Sequence, residues 1–368
     1  MNRHFFKEIK IKNVRGIDEA TLKDLSGVNL LLGGNNGGKT SVLEAISLLN
    51  CSDAYDFINA SSMRNGLEDL DSIPCVRFLF KTHSDSLSVS AERASGESAN
   101  VQVKYRLYQT AFSKDVFLHN DERKDFESRI IDRRGLDGKE MSAISLDLTI
   151  NEKKAKVDYL EADFLFGRIR KRHYPSRENV TSSKIIYVSP SEHFSSLERL
   201  VSRVLESSDY KALTIELMKL IEPSFEDILI NMDSMYGTHG VYVKTRGEDP
   251  VPISLFGDGA KKALMLACYI AKAKGGVLLI DEIETSLHHS LYDNLFRFLI
   301  KASKHFGVQL FITTHSQEVI DCFLKATEEE PKALKCYTIR KDEKGVSVRD
   351  LDHSEVQKYG ELGIEVRD

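Results

Sequence analysis

Apolar and polar residues alternate through residues 5–32, the period of half-buried strands. The same alternation returns at Val76–Lys81, Leu87–Ala91, Val101–Tyr108, Ile144–Ile150 and Ala155–Leu160. These stretches predict an antiparallel β subdomain that continues a sheet begun by the first residues, with Ala94–Asn100 and Asp132–Glu140 as polar, glycine-containing loops. From Ser191 to Leu220 the period lengthens to that of a helix, placing Leu197, Leu200, Val201, Val204 and Leu205 on one face. Asp209–Leu220 repeats the pattern until Pro223 interrupts it, and a further helix is predicted over 260–273 with Leu264, Ala267, Cys268 and Ala271 inward. Three short, largely apolar runs, Val28–Leu32, Gly276–Ile280 and Val308–Ile312, suit central strands of a parallel sheet covered on both faces. No internal repeat and no sustained heptads are present.

Each of the three apolar runs ends in chemistry. Val28–Leu32 leads into Gly33-Gly34-Asn35-Asn36-Gly37-Gly38-Lys39-Thr40, which matches the G-x-x-x-x-G-K-[ST] phosphate loop, and Ser41–Ile46 then opens a helix. Glycines let backbone N–H groups turn inward, and the helix N-terminus adds partial positive charge. Lys39 is placed to reach β- and γ-phosphates, and Thr40 to hold Mg²⁺. A plain glycine-rich turn would leave Lys39-Thr40 at that offset unexplained. The second run ends in Asp281-Glu282, which alone would read as an acidic helix cap. Beside a phosphate loop, Asp281 becomes the residue that holds Mg²⁺ through water, and Glu282 the one that orients or deprotonates the attacking water. The third run ends in Thr313-Thr314-His315-Ser316, so His315 falls at the same sheet edge, in place to sense a γ-phosphate. A nucleoside triphosphate is the expected ligand.

The order of these motifs resembles that of ATPases with an ABC-type head. Ile9–Gly16 and Asn35–Ser41 are similar to the OLD-like and RecF-like branch. Ser254–Lys262 stands where that branch carries its signature loop, and Glu284-Thr285-Ser286-Leu287-His288 resembles the loop that follows the second carboxylate in OLD-like members. The resemblance covers residues 1–50 and 240–325, with weaker echoes through 185–235. It implies an α/β fold, a P-loop NTPase of ABC-head type, with a mixed central sheet, an antiparallel β subdomain and a helical insertion. The expected division is 1–110 for the first half of the head, 111–235 for an insertion or lid, and 236–368 for the second half. The implied nucleotide-binding residues are Arg15, Gly33, Asn35, Asn36, Gly37, Gly38, Lys39, Thr40 and Ser41. Glu282 and His315 are the implied catalytic residues, with Thr40 and Asp281 on the metal.

Two departures from the family pattern stand out. The usual signature serine is replaced, so Gly257-Asp258-Gly259 would meet a partner's γ-phosphate with backbone N–H groups alone, and Asp258 would repel it unless turned toward Mg²⁺ or Lys261. The glutamine that follows the first helix and coordinates Mg²⁺ has no clear counterpart, since Gln102 and Gln109 lie in strand-like sequence.

Composition adds limits. The 368 residues carry 56 carboxylates against 51 Lys and Arg, so global charge predicts no nucleic-acid binding. The most basic stretch holds Arg168, Arg170, Lys171 and Arg172 beside Tyr174. It reads first as a solvated linker and second as a nucleic-acid contact. Cys51, Cys75, Cys268, Cys322 and Cys336 form no C-x-x-C pair and read as reduced, mostly buried thiols. No apolar run approaches the ~18 residues of a membrane span, so a cytoplasmic location is expected. Asp350-Leu351-Asp352 mimics the D-x-D of the Toprim nucleases often fused to OLD-like ATPases, but too little chain follows for such a domain. Two functions are therefore open. One is an ATP-hydrolysing switch, with ATP and Mg²⁺ as cofactors, whose nucleotide-dependent homodimer or higher homo-oligomer controls a separately encoded nuclease or toxin, plausible in antiviral defence. The other is a RecF-like ATPase that clamps DNA in repair.

Overall fold

The computed structural model describes residues 5–61, 76–111, 140–160, 184–190, 197–231, 240–342 and 345–361. An antiparallel sheet is formed by β1 (Phe6–Val14), β2 (Ile17–Leu22), β4 (Ser86–Arg93), β5 (Ser98–Ala111), β6 (Glu140–Ile150) and β7 (Lys153–Leu160), in the order β2-β1-β4-β5-β6-β7. The alternating pattern explains it. On β1 the side chains of Phe6, Ile9, Ile11 and Val14 are buried while Lys7, Lys10 and Lys12 face out. A second sheet holds β3 (Val28–Leu32), β8 (Ile185–Val188), β12 (Val277–Ile280), β13 (Gln309–Thr314), β14 (Leu334–Asp342) and β15 (Gly345–Leu351), ordered β15-β14-β3-β13-β12-β8. All its neighbours run parallel except the β14–β15 hairpin.

The parallel strands are apolar throughout because both faces are covered. Leu30 and Leu32 of β3, Leu278 and Ile280 of β12, and Leu310 and Ile312 of β13 enter one core. That core also contains α3 (Leu197–Leu205), α4 (Ser208–Ile221), α5 (Gly257–Lys272), α6 (Tyr292–Phe306) and α7 (Gln317–Ala326). Leu31, Leu279 and Phe311 point the other way, into a second core with α1 (Lys39–Ser47), α2 (Ala54–Ser61) and the antiparallel sheet. The last helix, α8 (His353–Glu361), packs on β14.

Of two buried amides, Gln309 ties the two sheets together and Asn29 fastens β3 to β13 and to the segment before it. Gln309 Oε1 accepts from Phe6 N–H at 2.9 Å, and its Nε2 donates to the carbonyls of Phe6 at 3.0 Å and Ser26 at 2.9 Å. Asn29 Nδ2 donates to Ser26 O and Leu310 O, while its Oδ1 accepts from Ser26 N–H. Both side chains are fully buried.

Several expectations change. Val76–Lys81 is no strand: a short helical turn precedes a single bridge between Phe80 and Val14. The division at 110/111 falls at the end of β5, which pairs with β6 in one continuous sheet. The helices α3 and α4 are no lid, since Leu197, Leu200, Val201, Val204, Leu217 and Met218 are part of the main core. A third sheet, unforeseen, joins β9 (Phe225–Asn231), β10 (Gly240–Thr245) and β11 (Val251–Pro252). The D-x-D pair is structural: Asp350 pairs with Lys335 at 3.0 Å, and Asp352 Oδ1 accepts from Glu355 N–H at the start of α8. Gln102 is exposed on β5. Cys51, Cys268 and Cys336 are buried free thiols, and Cys75, Arg168, Arg170, Lys171 and Arg172 lie outside the described residues. Among the described residues no helix is long and apolar enough to cross a membrane.

Replacing Gln309 with alanine should remove the amide's bonds to Phe6 N–H and Phe6 O, while Ser26 O keeps Asn29 Nδ2, and cost about 2–4 kcal/mol. Urea unfolding should show a lower midpoint at unchanged slope. An unaltered midpoint would mean that water takes over the amide's role.

Candidate active site

The phosphate loop follows β3 and is wedged beneath the β14–β15 hairpin. Gly33 has φ 146°, and a Cβ there would stand 2.3 Å from the carbonyl oxygen of Ile339 on β14. Gly38 has φ 105°, and a Cβ there would press on Val346 of β15 at 3.2 Å. Side chains at these positions would be both strained and obstructed. The turn is closed by Gly37 N–H donating to Gly34 O, and α1 begins with Val42 N–H on Gly38 O. No side chain caps α1, and the N-terminal end of a helix favours an anion. Lys39 Nζ folds back onto the carbonyls of Gly33 at 2.8 Å and Gly34 at 2.9 Å, which holds the ammonium inside the loop.

Beside this loop, β12 ends in Asp281, a buried carboxylate with three hydroxyl neighbours. Thr313 donates to Oδ1 at 2.5 Å, Thr40 to the same oxygen at 3.2 Å, and Tyr187 of β8 to Oδ2 at 3.0 Å. Thr313 Oγ1 also accepts from Glu282 N–H at 2.7 Å, so one threonine sets the positions of both carboxylates. Glu282 has φ 45°, the left-handed region that non-glycine residues rarely enter. That bend turns the residue out of the strand and onto the wall of the cavity containing the loop. Thr40 and Asp281 are hard oxygen donors of the kind that hold Mg²⁺ with help from phosphate oxygens and water. Among the described residues no cluster of His, Cys, Asp and Glu would hold a metal by itself.

The cavity encloses about 500 Å³. Of the expected nucleotide residues, Arg15, Asn35, Asn36, Gly37, Gly38, Lys39, Thr40 and Ser41 line it together with Glu282. Gly33 and Asp281 stand behind that lining, as the loop's hinge and as the support of Thr40. Arg15 is less free than expected. Its Nε and Nη2 close a fork on Glu44 of α1 at 2.9 and 3.1 Å, and Nη1 donates to Phe78 O at 3.2 Å. Glu44 is fully buried, so Arg15 fixes α1 and presents only its remaining N–H bonds to a ligand.

His315 does not line the cavity. It lies at the same sheet edge with Nδ1 2.8 Å from Glu284 Oε1, and its backbone N–H donates to that oxygen at 2.7 Å. Glu284 also stands near Tyr292, whose hydroxyl pKa is raised by burial and then by the charges of Glu284 and Glu318. Gly257, Asp258 and Gly259 are likewise outside the cavity. They form the first turn of α5, which begins three residues earlier than its apolar pattern suggests, and no side chain caps it. Asp258 pairs with Lys261 at 2.8 Å, which answers the charge it would otherwise turn on an anion.

Glu44 and Tyr187 belong to the site although no motif marks them, and Glu284 and Thr313 take positions there that their motifs do not reveal. Glu44 alone carries a readable signal, a carboxylate inside the apolar run Val42–Ile46 that demands a buried partner.

A phosphate loop on β3, an Asp-Glu pair at the carboxyl end of β12 with β13 between them, and an antiparallel sheet alongside define a P-loop nucleoside triphosphatase with an ABC-type head. The chain belongs to the family described as "AAA domain, putative AbiEii toxin, Type IV TA system", matched over residues 28–321. It is similar, at 22% identity, to an "ATP/GTP phosphatase" of Helicobacter pylori, the match covering 96% of this chain and 98% of that one. Over 30% of its length it is 34% identical to an uncharacterized protein of Methanocaldococcus jannaschii, 98% of which is covered. In fold it is similar to the crystal structure of "the SmcHead bound to the C-winged helix domain of ScpA", with a TM-score of 0.52 and 14% identity over 96% of this chain and 99% of that one.

Gly33→Ala should force the loop off Ile339 O or force β14 outward. Either outcome predicts loss of triphosphate binding with a stability cost of about 1–3 kcal/mol, readable by calorimetric titration and thermal melting. Parental binding by that variant would contradict the wedge.

Proposed function

We propose that the chain hydrolyses ATP or GTP to the diphosphate and phosphate, and that its nucleotide state controls a separately encoded effector through pairing of two copies. The observation that carries this is the convergence of Lys39, Thr40 and Glu282 on one cavity, with Asp281 fixed behind them. The loop N–H groups and Lys39 hold the triphosphate. Thr40 and Asp281 would hold Mg²⁺, which when bound neutralises charge on the β- and γ-phosphates. Glu282 orients a water for in-line attack on the γ-phosphorus and takes up its proton as the bond to the β-γ bridging oxygen breaks. The name of the Helicobacter pylori relative supports this chemistry and both nucleotides.

The paired state is supported by what stays outside the cavity. The uncapped first turn of α5 carries backbone N–H groups with no phosphate of their own, and Leu255, 72% exposed, stands just before it. Facing the nucleotide of a second copy, that turn would cover the outer side of the γ-phosphate, and His315 would complete the site as Glu284 holds it. The family description, which names a "putative AbiEii toxin" of a type IV toxin–antitoxin system, supports a toxin–antitoxin setting.

Lys39→Ala should abolish triphosphate binding. Glu282→Gln should retain binding and lose about 10²–10⁴-fold in turnover, and parental turnover would remove Glu282 from its assigned role. His315→Ala should lower turnover with less effect on binding.

Sedimentation of the Glu282→Gln protein should show a heavier species with Mg-ATP than without it. A nucleotide-bound sample that stays at the mass of one chain would rule out the shared site.

A further inference from the structure

The cavity has a second chemical character that the phosphate-binding motifs do not explain. Phe78 lines it, and its side chain is 63% exposed although Phe80, two residues on, is buried against Tyr105 and Phe57. An exposed phenyl ring is costly to hydrate and is normally turned inward. Here the backbone holds it out. Arg15 donates from Nη1 to Phe78 O at 3.2 Å and from its backbone N–H to Leu79 O at 2.8 Å. Lys81 N–H then donates to Asn13 O at 3.0 Å, and Phe80 bridges Val14. The ring is therefore carried by a turn stitched to the end of β1, not by a loose loop. Thr82 and Lys341 line the same cavity, Lys341 reaching it from β14 beside Gly16.

We infer that Phe78 is the platform on which the nucleobase stacks when the phosphate loop holds the triphosphate. The inference rests on the nucleotide reading above and adds the base-binding half of the site. One wall of the cavity offers N–H groups and a lysine to phosphates, and another offers an aromatic face to something flat and apolar. A nucleoside triphosphate has both ends. The volume of about 500 Å³ lies within the usual range for small-ligand sites. Stacking reads the face of a base and not its hydrogen-bonding edge. Thr82 can donate or accept, so it does not separate adenine from guanine either. The site binds ATP and GTP alike and takes its affinity for both from the same ring. Arg15 then has two structural duties, locking α1 through Glu44 and setting the height of Phe78 through its carbonyl.

The test is calorimetric titration of the full chain with the β,γ-imido analogues of ATP and GTP and with inorganic tripolyphosphate, which has no base. Phe78→Ala should weaken both analogues about tenfold and leave tripolyphosphate unchanged, and Phe78→Tyr should restore parental affinity. Phe78 is exposed, so its replacement leaves the core packing intact, and thermal melting of each variant verifies it. Equal binding of the analogues by Phe78→Ala and parent would overturn the inference. So would an equal loss for tripolyphosphate, since the ring would then be shaping the phosphate loop. A parental chain that discriminates strongly between the two analogues would refute the claim of base indifference. Failure of the parent to bind either analogue or tripolyphosphate would instead sink the nucleotide reading itself.

Discussion

The carboxylate of Asp281 is the point on which the site depends. Burying it requires that its charge be met by hydrogen bonds. The three hydroxyls that meet it come from α1, from β13 and from β8. Satisfying one buried anion thus sets the position of the first helix, the register of the neighbouring strand and the edge strand beyond. Thr313 carries the constraint one residue further, because the oxygen that donates to Asp281 also receives the N–H of Glu282. A shift of β12 relative to β13 would break both bonds together, so the relative placement of the two carboxylates is a property of the sheet.

A second constraint acts from the far end of the chain. The phosphate loop has room for its turn only because Gly33 and Gly38 lack side chains where Ile339 and Val346 press on it. The β14–β15 hairpin is therefore a wall of the cavity, and Lys341 and Val346 line it. Arg15 and Glu44 close the opposite flank, a bidentate pair that joins the turn after β1 to α1. Loop, hairpin and antiparallel sheet form one packed unit.

Around the site, electrostatics are arranged locally. Asp258 at the start of α5 is answered by Lys261, leaving that turn's N–H groups as its outward feature. His315 is held through its backbone N–H by Glu284 Oε1, which also lies 2.8 Å from the ring Nδ1. These are short-range pairings that a near-neutral chain can make without a strong overall field.

The local chemistry was legible in the residues themselves. A phosphate loop needs glycine, lysine and threonine at set offsets between a strand and a helix, and a strand covered on both faces needs an unbroken apolar run, so Gly33–Thr40, Asp281-Glu282 and the three central strands could be read directly. Alternation likewise marked β1, β4, β5 and β6. What could not be read was whatever depends on groups distant in sequence. Val76–Lys81 alternates like a strand, yet Leu79 N–H on Val76 O and Phe80 N–H on Arg77 O make it a turn, which the bonds Arg15 N–H to Leu79 O and Lys81 N–H to Asn13 O fasten to the end of β1. The helical pattern of α3 and α4 suited a lid as well as a core, and only their burial against α5 decided between them. Tyr187, Glu284 and Thr313 carry no mark of their own, because a hydroxyl or carboxylate acquires its role from the partner that folding brings within 3 Å. Sequence determined which groups could bind a triphosphate. Tertiary structure decided which of them share a cavity, since strand order and hairpin packing set distances that no spacing along the chain encodes.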